Sequence, residues 1–149
     1  MAFEINNSKE QTKDGKVKTG TVLERSRKVK LNTRKTGTFY EQAACEYLEA
    51  RGIQIVERNY RCRTGEIDIV AKDKNCIVFV EVKYRKTVIC GEALGMVGYT
   101  KQKKICQCAR IYCMYHPWIR EIRYDVIGIT DTKIEWIQNA FEHMGYAWQ

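Results

Sequence analysis

No stretch of the 149-residue chain approaches the roughly 18 consecutive apolar residues that a membrane helix needs. The first 30 residues hold no apolar run of the kind a secretory leader carries, so none is expected. No Cys-x-x-Cys occurs, and the two histidines, His116 and His143, form no closely spaced pair, so the usual zinc-ligand spacings are missing. Internal repeats and low-complexity segments are also absent. These gaps leave an ordinary globular chain, long enough for one domain with a tail and 44% hydrophobic, able to bury a core without staples.

What is present in excess is positive charge and cysteine. The formal charge is +8, from 26 Lys+Arg against 18 Asp+Glu. Such a balance points to an anionic partner, nucleic acid before a membrane surface, although a solubilising surface has the same composition. Residues 1–35 hold ten of the basic and four of the acidic side chains, so they carry six of the eight excess charges. With few apolar residues and no period, they read as a disordered basic arm. Residues 36–149 form the folded domain. The seven cysteines are an odd number without a leader, which argues for buried free thiols in a reducing, cytoplasmic setting over a disulfide framework or a metal–thiolate site.

Periodicity gives an α/β domain in the order α-β-β-β-α-β-β. Tyr40, Ala43, Ala44, Tyr47 and Leu48 recur at helical spacing over 38–51, with Thr36 or Thr38 as cap and Gly52 as stop. Strands are predicted at Ile53–Tyr60, Glu66–Ala71 and Cys76–Arg85, with a basic loop at Arg61–Gly65. A helix follows over Gly98–Tyr115, stopped by Pro117, then strands at Glu121–Thr130 and Lys133–Gln138.

Charged residues inside the apolar strands carry the chemistry. Alternation puts Glu66, Asp68 and Val70 on one face, with Ile67, Ile69 and Ala71 on the other. On the next strand Phe79, Glu81, Lys83 and Arg85 share a face. A two-residue turn at Asp73-Lys74 sets Asp68 against Phe79 and Glu66 against Glu81, so Asp68 and Glu81 become diagonal neighbours. A slip by two preserves the faces; a slip by one destroys the arrangement. Three carboxylates beside a lysine repel one another unless a cation sits among them, and Mg2+ is the natural oxygen-bound choice. A solvated sheet face with a Glu–Lys ladder is the bland alternative. Glu41 lies beside the apolar stripe of the first helix, where it can serve the site the helix covers or complement the helix dipole. Arg58, Arg61, Arg63, Arg85, Lys101 and Lys104 surround these acids and could grip phosphates without reading bases.

Asp68, twelve residues, then Glu81-x-Lys83 resembles the PD-(D/E)XK nuclease motif, with Ile67 where a proline usually stands. Further segments resemble the YraN family in order: Gly37-x-x-x-Glu41-x-x-Ala44, Arg58-Asn59-Tyr60-Arg61, Gly65-Glu66-Ile67-Asp68-Ile69-Val70-Ala71, Val78-Phe79-Val80-Glu81-Val82-Lys83, Val97-x-x-x-Lys101-Gln102, Arg123-Tyr124-Asp125-Val126 and Ile137-x-Asn139-Ala140-Phe141. The resemblance spans residues 36–142. It implies a restriction-endonuclease-like mixed sheet flanked by helices, similar to Holliday-junction resolvases. It also implies Mg2+- or Mn2+-dependent cleavage of DNA leaving a 5′-phosphate, and a homodimer. By motif position Glu41, Asp68 and Glu81 would ligate metal, Lys83 would position water, and Lys101 and Gln102 would assist phosphate binding. Glu66 belongs to the motif without a defined role. A nuclease fold that binds nucleic acid without turnover is the competing expectation, and association driven by the basic arm is a third.

Overall fold

A computed structural model describes residues 33–86 and 97–145, together with Gly95 and the pairs Glu10–Gln11 and Val17–Lys18. Most of the 86–97 loop and of the expected basic arm lies outside the described residues. Within the arm, β1 (Glu10–Gln11) pairs antiparallel with β2 (Val17–Lys18). The domain then runs α1 (Thr33–Glu49), β3 (Gln54–Cys62), β4 (Gly65–Asp73), β5 (Cys76–Tyr84), α2 (Tyr99–Tyr115), β6 (Glu121–Ile129) and β7 (Ile134–Ile137). This is the expected α-β-β-β-α-β-β order.

The five strands form one mixed sheet in sequence order, β3-β4-β5-β6-β7. Three neighbour pairs are antiparallel and β5–β6 is parallel. A parallel pair cannot be joined by a tight turn, and α2 supplies the crossover. The helices cover opposite faces. Tyr40, Ala44, Cys45 and Leu48 of α1 pack with Ile69, Ala71, Val78 and Val80 on one side. Ile105, Cys108, Ala109 and Tyr112 of α2 pack with Ile67, Val70, Phe79 and Tyr124 on the other. The β-branched, apolar run of β5, buried from Cys76 through Glu81, is what a strand covered on both faces requires.

α1 begins at Thr33, before the first apolar residue, so periodicity alone could not locate its start. Its end follows the expected glycine rule. Gly52 takes φ 80, its N–H donates to the Glu49 carbonyl, and the Ile53 N–H donates to the Leu48 carbonyl at 3.1 Å. The double bond pattern closes the helix, and Leu48 and Ile53 share the core beside it.

Two details of the central hairpin differ from expectation. The turn is Lys74-Asn75, with Lys74 at φ 54, so Asp73 pairs with Cys76 and Ile69 with Val80. That register is two residues from the one the Asp73-Lys74 turn implied, and extending it brings Asp68 level with Glu81 rather than diagonal to it. The face assignment of β4 also breaks. Ile67 packs on the α2 side with Val70, whereas Ile69 and Ala71 pack on the α1 side. The break falls at Asp68. Across from it, the β3–β4 ladder runs Arg58↔Ile69 and then Tyr60↔Ile67, with no rung between, and Asn59 takes φ 53. A left-handed residue there flips the pleat, as a bulge does.

Candidate active site

The cleft forms where β4 and β5 part. Their ladder ends at Ile69↔Val80, and beyond it the Val82 N–H donates to Asp68 Oδ2 at 2.8 Å. A side chain thus takes over the bond that a strand neighbour would otherwise make. The resulting opening, about 150 Å³, is lined by Gly37, Tyr40, Glu41, Glu66, Asp68, Glu81, Val82, Lys83, Tyr84 and Lys101. α1 contributes one wall, α2 another, and the parted strands the floor.

Glu81 is the deepest group, 2% exposed. Lys83 Nζ lies 2.6 Å and Lys101 Nζ 3.2 Å from its Oε1. Both lysines are ion-paired to Oε1, whereas Oε2 has no partner among the described residues. Burying a carboxylate is costly unless it is paired, and two cations converge on this one. Burial by itself would lower the Lys101 ammonium; Glu81 and Asp68 outweigh it and hold that group above its ordinary range.

Asp68 is raised as well, which in an acid disfavours the charged form. Burial, then the neighbouring Glu81 carboxylate, push its carboxyl up to about 7, against the opposing pull of the Val82 N–H, Lys101 and Lys83. Two acids side by side resist both being ionised, so the site holds a proton near neutrality or attracts further positive charge. Glu41 reaches the same cleft from α1, where Asn59 Nδ2 donates to its Oε2 at 2.9 Å. Glu66 stands at the exposed rim, 3.4 Å from Arg61.

The oxygen donors suit a hard divalent cation. Among the described residues no three His, Cys, Asp or Glu side chains gather into a ready cage. Mg2+ does not require one: it commonly takes one or two carboxylates and completes its shell with water and phosphate oxygens. Asp68 and the Oε2 of Glu81 fit that requirement.

Of the residues singled out from the sequence, the fold gathers Glu41, Glu66, Asp68, Glu81, Lys83 and Lys101. The remaining cations and Gln102 do not line the cleft. Arg58 Nη1 donates to Gln42 Oε1 at 2.6 Å, tying β3 to α1. Gln102 Nε2 donates to the Val97 carbonyl at 2.7 Å, bracing the approach to α2. Arg85 Nη1 donates to the Tyr84 carbonyl. Arg63 and Lys104 are exposed.

Sequence reasoning missed Asn59 as the residue that holds Glu41. It also gave no role to the Tyr40–Tyr84 stack on the cleft wall, ring centroids 4.0 Å apart. The Tyr84 hydroxyl donates to Asp131 at 2.7 Å, and that bond raises its pKa. Neither signal is local: Asn59 and Glu41 lie 18 positions apart, Tyr84 and Asp131 47.

Residues 40–129 match the model of a family described as "Uncharacterised protein family UPF0102". A UPF0102 protein of Photobacterium profundum is 41% identical over 115 residues, spanning 74% of this chain and 92% of that protein. One of Aeromonas hydrophila is 46% identical over 109 residues, spanning 70% and 83%. Among solved structures, Pyrococcus furiosus SfsA in complex with Ca2+ aligns at a TM-score of 0.34 and 16% identity; the alignment spans 72% of this chain and 64% of that one.

Proposed function

This chain belongs to the UPF0102 family, and on that premise we propose that it is a divalent-metal-dependent endonuclease hydrolysing phosphodiester bonds in DNA, with branched DNA as the first substrate to try. One observation carries the reading: a fully buried Glu81, whose Oε2 has no partner among the described residues, neighbours a charge-averse Asp68 in an open cleft that also holds two lysines. A solvated sheet face would be exposed, and a plain ion pair would not set a second, proton-holding acid beside the first.

Asp68 and Glu81 would hold Mg2+ or Mn2+, with Glu41 at hand on the wall. The bound ion would supply Lewis acidity toward the phosphorus–oxygen bond and a more acidic water. The chain's own residues have separate tasks. Lys83, anchored on the buried carboxylate, offers ammonium hydrogens to orient the attacking water and offset developing negative charge. Lys101 contributes a second cation from the first turn of α2, whose start has no side-chain cap and leaves N–H groups for a phosphate oxygen. The Asn59 bond keeps Glu41 turned toward the cleft.

The test is incubation of the purified protein with Mg2+ or Mn2+ and branched, flapped and linear DNA. Wild type should cut, and Asp68→Asn and Glu81→Gln should each lose at least about a hundredfold in rate. Cleavage that survives both substitutions, or none by wild type with either metal, overturns the reading. A nuclease fold that holds nucleic acid without turnover would be told apart by a DNA affinity that does not improve as metal is titrated in.

A further inference from the structure

We propose that Cys62 and Cys108 form a dithiol modification site that closes reversibly to a disulfide by exchange with a low-molecular-weight disulfide of the glutathione class. The two Sγ atoms lie 2.8 Å apart, one at the end of β3 and the other in the middle of α2, 46 positions away in sequence. A disulfide bond measures about 2.03–2.05 Å, so closure asks for a shift of about 0.8 Å. Gly65 follows at φ 152, a backbone conformation that side-chain-bearing residues rarely adopt, with Cys108 Sγ 3.6 Å from where its Cβ would stand.

The pair is chemically unequal, as exchange requires. Cys108 is buried, whereas Cys62 is half-exposed, alone in that respect among the described cysteines. Thr64 Oγ1 lies 3.0 Å from Cys62 Sγ and 3.4 Å from Cys108 Sγ. Burial works to raise the Cys62 thiol, but hydrogen bonds from Cys108, the Thr64 hydroxyl and the Thr64 and Gly65 backbone outweigh it and hold the group below its ordinary value. Burial, and then the bond to Cys62, push Cys108 up to about 12. Cys62 is therefore the attacking thiolate and Cys108 the resolving thiol.

In the first step Cys62 Sγ attacks one sulfur of the small disulfide. A mixed disulfide forms and one small thiolate leaves. Cys108 then attacks Cys62 Sγ, giving up its proton, and displaces the second small thiol. Two protein thiols are oxidised and one external disulfide is reduced to two thiols, so atoms and electrons balance. The product ties the Arg63-Thr64 turn to α2, on the helix that carries Lys101 seven positions earlier, without consuming any acid of the cleft. The site is independent of the nuclease reading.

The experiment is a redox titration of the full chain with oxidised glutathione, followed by acid quenching, alkylation and peptide mapping. The expected result is a Cys62–Cys108 crosslink that dithiothreitol removes. In the reduced protein at neutral pH, Cys62 should alkylate at least about tenfold faster than Cys108. Cys108→Ser should trap glutathione on Cys62, and Cys62→Ser should leave Cys108 unmodified. The wild-type map depends on no variant folding correctly. Equal alkylation rates, glutathione on Cys62 without closure, no oxidation, or crosslinks among other cysteines each overturn the proposal.

Discussion

Asp68 is a carboxylate whose charge the metal-free fold resists, and that resistance has a measurable consequence. Its carboxyl ionises near 3.8 ordinarily and at about 7 when folded. Between those values the folded chain keeps a proton that the unfolded chain has already released. A raised folded value means that the stabilisation is complete below the unfolded value and is lost as pH rises through about 7. Each tenfold difference in proton affinity is worth about 1.4 kcal/mol, so about three such steps set a ceiling near 4 kcal/mol at pH 8. Asp68→Asn abolishes the titration, while its amide oxygen can still accept the Val82 N–H. With EDTA present, the stability of the variant relative to wild type should climb from about pH 4 to pH 7 and level off by about pH 8. Urea denaturation at pH 5, 6, 7 and 8 reads this directly. A difference that is flat with pH, or one that shrinks as pH rises, refutes the account of the acid pair.

Further outcomes follow from single contacts. Lys101→Met removes a cation that lowers the Asp68 carboxyl, so the midpoint of the same pH curve should move above that of wild type. Asp125→Ala strips a fully buried carboxylate that binds Arg123 Nε at 3.0 Å, Trp136 Nε1 at 2.9 Å and the Asn139 N–H at 2.9 Å. It should cost about 3–5 kcal/mol in denaturant unfolding. Gly52→Ala meets no atom within 4 Å but must adopt φ 80, so it should cost only about 1 kcal/mol by the same measurement.

The elements were legible because their signals are local. The continuous apolar run of β5, the spacing of Tyr40, Ala44 and Leu48, and Gly52 at a helix end each announce themselves within a few residues. The hairpin register was less legible, since neither Asp73-Lys74 nor Lys74-Asn75 contains the glycine that usually marks a turn. A shift of two residues by itself leaves each acid on its expected side. The pleat reversal at Asp68 could not be read at all. It depends on Asn59, a residue of another strand, taking a left-handed conformation opposite it. Long-range pairings decided the cations as well. Lys101 reaches Glu81, whereas Arg58, with the same charge in the sequence, spends its guanidinium on Gln42.

The unequal hold on β5 has a mechanical consequence. That strand is bonded to β6 along its whole length, from Cys76↔Glu121 to Tyr84↔Ile129, but to β4 only as far as Val80. Glu81 and Lys83 therefore ride on a margin stitched down by β6, while Asp68 and Glu66 lie past the last β4–β5 rung, where β3 backs them and Arg58 and Asn59 tie β3 to the first helix. The two acids are thus set by different neighbours: β6 fixes the place of Glu81, and β3 with the first helix fixes that of Asp68.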